Sequence, residues 1–230
     1  MDYDHSIDTG LPLVILHNTI SLDGAMSGFQ IDEDLHYKMA TALQADAYLI
    51  GAHSFLHASD EIPPEEEGDF LHPGYDHADI RPFLLVVDSQ GRLKGKLHYY
   101  RKMSYIKDLI VLISDSTSRQ YQVYLKERHY PFVKAGKEKV EFKQVFQQLK
   151  DQYHIDRILT DTGPVLGNAL LAQNMIDELS LLVAPMIVAK KDVPKIMTDL
   201  DLESHQISLQ TLDCKNLGNN HLWLRYKVQK

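Results

Sequence analysis

The chain has 230 residues, of which 44% are hydrophobic and 24% charged, and its formal net charge is −8. These are ordinary globular values, and they exclude a disordered or low-complexity chain. No basic stripe typical of a nucleic-acid binder is visible, and the longest early apolar run is far too short to span a bilayer. Because acidic residues precede that run where a secretory signal is basic, we expect a cytoplasmic protein.

The acidity is local, and the chain is expected to form a single domain over residues 1–230. Residues 1–10 form a polar N-terminal tail, and residues 56–80 form an acidic loop. Between Asp60 and Asp79 there are eight carboxylates and no Lys or Arg. This stretch has no helical or alternating period, which predicts a solvated loop.

The first elements follow from apolar periodicity. Residues 11–16 predict a buried strand, which leads into the polar segment 18–24. Asp32 is suited to cap a helix, whose inner face carries Leu35, Met39 and Leu43. Residues 47–51 predict a second short strand, which ends in glycine.

The later elements complete the fold prediction. Strands are predicted over residues 83–87, 109–113, 155–160, 179–188, 207–212 and 222–228, and an amphipathic helix carries Phe142, Val145, Phe146 and Leu149. Strands and helices interleave first, and then strands follow strands. This order predicts an α/β fold with a mostly parallel central sheet, an antiparallel C-terminal edge and helices on both faces.

Two residues of the C-terminal strands have predicted environments. Cys214 is the single cysteine, which excludes an internal disulfide and a cysteine-rich metal site. We expect it to be a small buried hydrophobe in the penultimate strand. Trp223 in the last strand is expected to pack in the core.

Polar or small residues end three of the predicted strands. The segment 18–24 contains Ser21-Leu22-Asp23-Gly24, residues 47–51 lead into Ala52-His53-Ser54, and the strand at 155–160 leads into Asp161-Thr162-Gly163-Pro164. Open α/β sheets bind ligands at such strand ends, and a glycine turn before a helix directs backbone N–H groups at a phosphate. Asp23 is therefore a candidate for chemistry.

Taken in order, segments 18–24, 45–54, 81–89 and 161–185 resemble a known family. The chain is similar to the C-terminal reductase domain of the bifunctional riboflavin-biosynthesis deaminase-reductase, over about residues 11–228. The most specific segment runs from Asn174 to Pro185. The resemblance implies a dihydrofolate reductase-like fold, a homodimer, and an NADPH-dependent oxidoreductase. Its reaction would resemble that of 5-amino-6-(5-phosphoribosylamino)uracil reductase, with hydride transfer to a small-molecule ribosylamino-pyrimidine.

The resemblance also implies roles for site residues. The residues expected to contact the dinucleotide are Gly51, His53, Ser54, Ser89, Ser114, Gly163, Pro164, Val165 and Leu166. Asp23 is expected to serve the hydride-transfer step, either by stabilising a developing cationic charge or by relaying a proton. Asn18 and Ser21 are expected to contact substrate.

Two positions depart from the family pattern. Thr162 stands where the family usually has glycine, and it adds a Cβ near the expected pyrophosphate. Ala52 stands where dihydrofolate reductases place an arginine for the 2′-phosphate. Arg92 or Arg119, each just beyond a strand end, is suited to replace that guanidinium.

The acidic loop affects the predicted substrate. In the family this stretch supplies basic residues for the substrate phosphate, whereas here it carries carboxylates, which repel a phosphate. An unphosphorylated ribosylamino-pyrimidine, or another small carbonyl or imine compound, becomes a credible acceptor.

Other function classes stay open. A non-catalytic nucleotide-binding or assembly module of the same fold is one, favoured by Ala52 and Thr162. A dihydrofolate reductase-type enzyme is another, disfavoured because the early strand lacks an Ile-Gly and a Leu-Pro-Trp segment. No metal is expected, because the histidines at 53, 57, 72 and 77 form no HExxH pattern and a zinc site needs three or four converging ligands.

Overall fold

The computed structural model describes residues 10–57, 62–70, 75–197 and 206–230. Within them the strands are β1 (Leu13–Ser21), β2 (Ala47–Gly51), β3 (Phe83–Val87), β4 (Leu109–Ile113), β5 (Phe132–Lys134), β6 (Arg157–Thr160), β7 (Glu178–Ala184), β8 (Leu209–Asn216) and β9 (Leu222–Val228). The helices are α1 (Glu33–Ala42), α2 (Ala52–His57), α3 (Leu97–Arg101), α4 (Arg119–Glu127), α5 (Phe142–Tyr153) and α6 (Pro164–Ala172), with a 3-10 turn at Glu67–Phe70.

All nine of these strands form one sheet, in the order β5-β4-β3-β2-β6-β1-β7-β9-β8. The pairs from β5 to β7 are parallel, whereas β9 and β8 are antiparallel. The predicted parallel sheet with an antiparallel C-terminal edge is therefore confirmed. In such a sheet the carboxyl ends of the parallel strands share one edge, and this edge carries the site.

Helices cover both faces of the sheet, as predicted. Strand β4 is buried along its whole length, with alternate side chains pointing to opposite faces. Ile110 and Leu112 pack in the cluster that includes α5 and α6. Leu109, Val111 and Ile113 pack with α2, α3 and α4. Two-sided burial explains why this strand reads as an unbroken apolar run.

The helix predicted after Asp32 is confirmed. It begins at Glu33, and the Asp32 carboxylate accepts a hydrogen bond from the Leu35 N–H at 3.0 Å. This bond satisfies one of the N–H groups that the first helical turn leaves without an intrahelical acceptor.

Some boundaries and environments differ from prediction. Strand β7 ends at Ala184 rather than at residue 188, because Pro185 follows and has no N–H for the ladder. Cys214 is exposed, so its predicted burial was wrong. It lies in β8, an edge strand that is exposed along most of its length. Trp223 is buried, as expected.

Part of the acidic loop is docked rather than solvated, which corrects the prediction for two of its carboxylates. Glu65 accepts hydrogen bonds from Tyr124 and Tyr130 and lies 3.6 Å from Arg128. Asp69 forms an ion pair with Lys102. These partners lie far along the chain, so no local pattern reveals them. The expected tail at 1–10 lies outside the described residues except for Gly10, as do loop residues 58–61 and 71–74.

Candidate functional site at the carboxyl edge of the sheet

The predicted turns after β2 and β6 meet at the carboxyl edge. Strands β2 and β6 are neighbours in the sheet. A Cβ added to Gly51 at the end of β2 would lie 3.8 Å from Leu166 Cδ2 in the first turn of α6. The structure thus brings two of the expected cofactor residues together.

The start of α6 offers backbone donors beside open space. Gly163 is its N-cap, with φ −66° and ψ 177° and no side-chain cap. Pro164 has no N–H, and the N–H groups of Val165 and Leu166 have no intrahelical acceptor. A Cβ added to Gly163 would meet nothing within 4 Å. An anion has room to approach this turn.

Thr162 does not obstruct that turn. Its side chain is buried, and its hydroxyl lies 3.2 Å from the Thr160 hydroxyl. Since the side chain faces the protein interior, the extra Cβ leaves the outer side of the turn clear.

The Asp23 carboxylate accepts three hydrogen bonds from the protein. It accepts hydrogen bonds from the N–H groups of Val188 and Ala189, both at 3.0 Å, and from the Ser21 hydroxyl at 2.7 Å. The first of these bonds is the largest reason that the pKa of Asp23 lies well below its ordinary value of 3.8. Asp23 therefore stays ionised at neutral pH, and it ties the segment after β7 to the turn after β1.

The two expected substrate contacts differ in what they leave available. The Ser21 hydroxyl donates to Asp23 and accepts from the Ala25 N–H at 2.9 Å. The Asn18 amide donates to the Asp161 carbonyl at 3.0 Å. Its oxygen has no hydrogen-bond partner in the protein, and it is buried, since the residue is only 3% exposed. An unpaired buried acceptor is costly, so a donor group brought by a ligand would be stabilised here.

A buried polar chain below this edge escaped the sequence analysis. The Trp223 indole donates to the Ser180 hydroxyl at 2.8 Å, and that hydroxyl lies 2.9 Å from His17 Nδ1. His17 Nε2 lies 3.3 Å from the His36 carbonyl oxygen. Burial, followed by the neighbouring His36, lowers the pKa of His17 from 6.5 to about 4. His17 is therefore neutral at physiological pH.

His36 on α1 connects this buried polar chain of side chains to the exposed carboxyl edge of the sheet. Its Nδ1 lies 2.9 Å from the Thr19 hydroxyl, and its Nε2 lies 3.8 Å from Asp161 Oδ2. The His17 and His36 rings are 4.6 Å apart between centroids. The one sequence signal was the alternation of His17 and Thr19 with apolar residues on β1, which places both on the face that α1 covers.

Three tyrosines lie within the electrostatic reach of Asp161. Burial, followed by the charge of Asp161, raises the pKa of Tyr37 and of Tyr48. Burial also raises the pKa of Tyr105, with contributions from Tyr37 and Asp161. Tyr37 and Tyr105 are more than half exposed. The carboxylate therefore sits among aromatic side chains that a planar ligand can contact.

The residues expected on the adenosine side lie after β3 and β4, which are neighbouring strands. The Ser89 carbonyl accepts a hydrogen bond from the Thr117 hydroxyl at 2.8 Å. Ser114 is fully buried, and its hydroxyl lies 2.9 Å from that of Ser116. The Ser114 hydroxyl also lies 3.2 Å from the Glu138 carbonyl, so it is engaged inside the protein. His53 and Ser54 occupy exposed positions on α2, directly after Gly51.

The described part of the chain holds no group of three or more His, Cys, Asp or Glu side chains placed to bind a metal. None of its helices is long and apolar enough to cross a membrane.

The fold is that of an α/β protein with a mostly parallel sheet, and the candidate ligand site lies at the carboxyl ends of its strands. A family model described as the RibD C-terminal domain matches residues 12–222, and the chain belongs to this family. The family and fold inferred from the four sequence segments are therefore confirmed.

One relative is similar over nearly the whole chain. It is the 2,5-diamino-6-ribosylamino-4(3H)-pyrimidinone 5′-phosphate reductase of Methanothermobacter thermautotrophicus. It is 25% identical over 226 residues, which cover 95% of this chain and 99% of the relative.

Solved structures share the fold. RibD of Acinetobacter baumannii superposes with a TM-score of 0.69 at 23% identity, over 96% of this chain and 59% of that one. The chain thus spans about three-fifths of that RibD chain. A pyrimidine reductase-like protein of Corynebacterium diphtheriae gives a TM-score of 0.67 at 19% identity, over 95% of this chain and 92% of that one. At these identities the likeness shows the fold alone.

Proposed function

We propose that the protein is an NADPH-dependent reductase that transfers hydride to a ribosylamino-pyrimidine or a related small carbonyl or imine compound. The observation that carries the proposal is the open turn at Gly163 beside the unpaired Asn18 acceptor, at the carboxyl edge. Membership of the RibD C-terminal domain family and the reductase name of the archaeal relative support it.

The residues present fit a nicotinamide dinucleotide. The first-turn N–H groups of α6 suit a pyrophosphate. The unpaired Asn18 oxygen suits an amide donor such as a carboxamide. Arg92 and Arg119 are exposed beyond β3 and β4, where a guanidinium can pair with a 2′-phosphate. When bound, the reduced nicotinamide supplies a hydride.

Within this function, Asp23 acts as a fixed negative charge. Its carboxylate is held by two backbone N–H groups and a hydroxyl, so it is not a proton relay at neutral pH. A permanently ionised carboxylate stabilises cationic charge that develops on an acceptor nitrogen.

The acceptor is proposed to lack a phosphate. The described acidic loop presents Glu66 and Glu67 to solvent, and Arg81 is engaged by Asp79 at 3.0 Å. Arg81 is therefore not free to neutralise a substrate phosphate. The archaeal relative is named for a phosphorylated substrate, so the two forms of the acceptor separate the proposals.

The test follows NADPH binding and oxidation with both forms of the acceptor and a panel of small carbonyl compounds. We expect saturable NADPH binding, and turnover of the unphosphorylated acceptor at least as efficient as that of the phosphorylated one. Gly163→Val should weaken NADPH binding while leaving thermal unfolding nearly unchanged, because the added side chain enters open space. Gly68→Val is the matched control, since Gly68 also has open space and lies in the acidic loop. Equal NADPH affinity in Gly163→Val and wild type would sink the cofactor assignment.

We also propose that the protein is a homodimer. Strand β8 lies at one edge of the sheet that the described residues form, and Leu209 and Leu212 on it are exposed. A second copy would cover this edge. Light scattering at micromolar concentration should give twice the monomer mass of 26.3 kDa, and a monomer mass would refute the proposal.

A further inference from the structure

We propose that His36 donates the proton that reduction of the acceptor requires, with Thr19 and Asp161 orienting its ring. The inference rests on the proposed reductase function and adds a residue to it. The hydrogen-bond directions in the buried polar chain support it.

The direction of this polar chain is fixed at its outer end. The His36 carbonyl oxygen only accepts, so the hydrogen of the neutral His17 ring is on Nε2. His17 Nδ1 is then an acceptor for the Ser180 hydroxyl, which itself accepts from the Trp223 indole N–H. Both ring nitrogens of His17 are thus engaged in hydrogen bonds, and the bond from Nε2 holds α1 against β1.

The same reasoning fixes the tautomer of His36. A bare ring lone pair facing a carboxylate would be repelled, so the hydrogen sits on Nε2, toward Asp161. Nδ1 is then the acceptor for the Thr19 hydroxyl, 2.9 Å away. Thr19 and Asp161 act as positioning residues, because they select the tautomer and the ring orientation.

The His36 Nε2–H is left available to a third group. A separation of 3.8 Å from the carboxylate exceeds hydrogen-bond length. The His36 side chain is 13% exposed and that of Asp161 is 41% exposed, so both reach the carboxyl edge. The Asp161 carbonyl also accepts from the Asn18 amide, which places the pair beside the proposed ligand site.

The proton balance of the reaction requires such a donor. Reduction of a C=N or C=O bond adds one hydride, supplied by the reduced dinucleotide of the proposed function, and one proton. The hydride bonds to carbon, the π electrons move to nitrogen or oxygen, and that atom takes the proton from Nε2 of the neutral His36 ring. The N–H bonding pair stays on the ring, which is left as an imidazolate, and solvent at the exposed edge then returns a proton to Nε2. Asp23 cannot serve, because it stays ionised.

The experiment compares His36→Gln with His77→Gln, a change at an exposed histidine of the acidic loop. His36→Gln should lower turnover by about 100-fold or more, as expected for a positioned proton donor, with NADPH affinity little changed. His77→Gln should match wild type. Added imidazole should restore part of the turnover of His36→Ala, which a purely structural role would not allow.

A second readout does not depend on activity. The ring ¹⁵N chemical shifts of His36 in wild type should show hydrogen on Nε2, and Thr19→Val should mix the two tautomers. Hydrogen on Nδ1, or wild-type turnover in His36→Gln, would overturn the inference while the reductase function stands. A wild-type protein that oxidises no NADPH with any acceptor would instead refute the reductase function, and the donor role with it.

Discussion

The loops after β1 and β6 lie side by side at the carboxyl edge, and each carries an aspartate that the protein treats differently. Asp23 after β1 accepts three short hydrogen bonds from the protein itself. Asp161 after β6 is 41% exposed, and its Oδ2 lies 3.8 Å from His36 Nε2. A carboxylate that accepts three hydrogen bonds from the protein is a fixed charge, and it clamps together the segments that donate them. A carboxylate with contacts to spare is able to orient a ligand or another side chain.

The largest effect is expected from Asp23→Asn. Replacing the carboxylate removes the fixed charge and turns one acceptor into a donor that faces a backbone N–H. Turnover should fall by about 100-fold or more, with NADPH affinity little changed. Thermal unfolding should also occur at lower temperature, because a backbone N–H of the segment after β7 loses its acceptor.

The matched variant for this comparison is Asp161→Asn. It should change the free energy of unfolding by less than about 0.5 kcal/mol, since an exposed carboxylate leaves little behind when removed. Acid titration separates the two sites further. The folded-state pKa of Asp23 lies below 3.8, so its stabilising contribution is complete above that pH and is lost as the pH falls further. Equal loss of stability in both variants would contradict the comparison.

The next effect concerns the buried end of the polar chain. The folded-state pKa of His17 is about 4 against 6.5 in the unfolded chain, so the unfolded state binds more protons between these values. Stability should be complete above pH 6.5 and should fall as the pH drops toward 4, by on the order of 3 kcal/mol. Urea unfolding across this range measures it. His17→Gln should flatten that part of the profile, whereas His77→Gln should leave it unchanged.

Among the buried positions, the smallest effect is expected from Ser180→Ala. The change removes the acceptor of the Trp223 indole and the partner of His17 together. Leaving these buried groups unpaired should cost about 1–3 kcal/mol of unfolding free energy, measured by urea titration. Thr41→Ala is the control, because its hydroxyl makes an exposed bond to the Tyr37 carbonyl. If Ser180→Ala loses no more unfolding free energy than the control, the hydrogen bonds of the buried polar chain do not stabilise the fold.

The sequence predicted elements whose signal is local. Strands β3 and β4 coincide with apolar runs. The capping residue Asp32 lies only three residues from the N–H group that donates a hydrogen bond to it. The pairing of His17 with Ser180 joins residues 163 positions apart, and no local pattern announces it. The burial of Cys214 was mispredicted for the same reason. The composition of a strand does not show whether another element covers it. The ionic anchors of the acidic loop likewise depend on distant helices.

The proposed cofactor contacts divide along the same line. Gly51 and Leu166 come from different segments and meet as the strand order requires. Ser114 follows its strand as expected, but its hydroxyl turns inward, to the Ser116 hydroxyl and the Glu138 carbonyl. Strand ends are thus readable from the chain, whereas the direction of a side chain at a turn depends on which neighbours accept its hydrogen bonds.

The clamp at Asp23 has a consequence for the dynamics of the edge. Ala189 adopts a φ of 51°, in the left-handed region that a residue with a Cβ enters only at a cost of about 1–2 kcal/mol. The bond from its N–H to Asp23 offsets that cost and fixes the segment after β7. Hydrogen exchange at the amides of Val188 and Ala189 therefore reports on the ionisation of a side chain in the turn after β1. The first local opening in acid is expected at this segment, while the sheet beneath it stays folded.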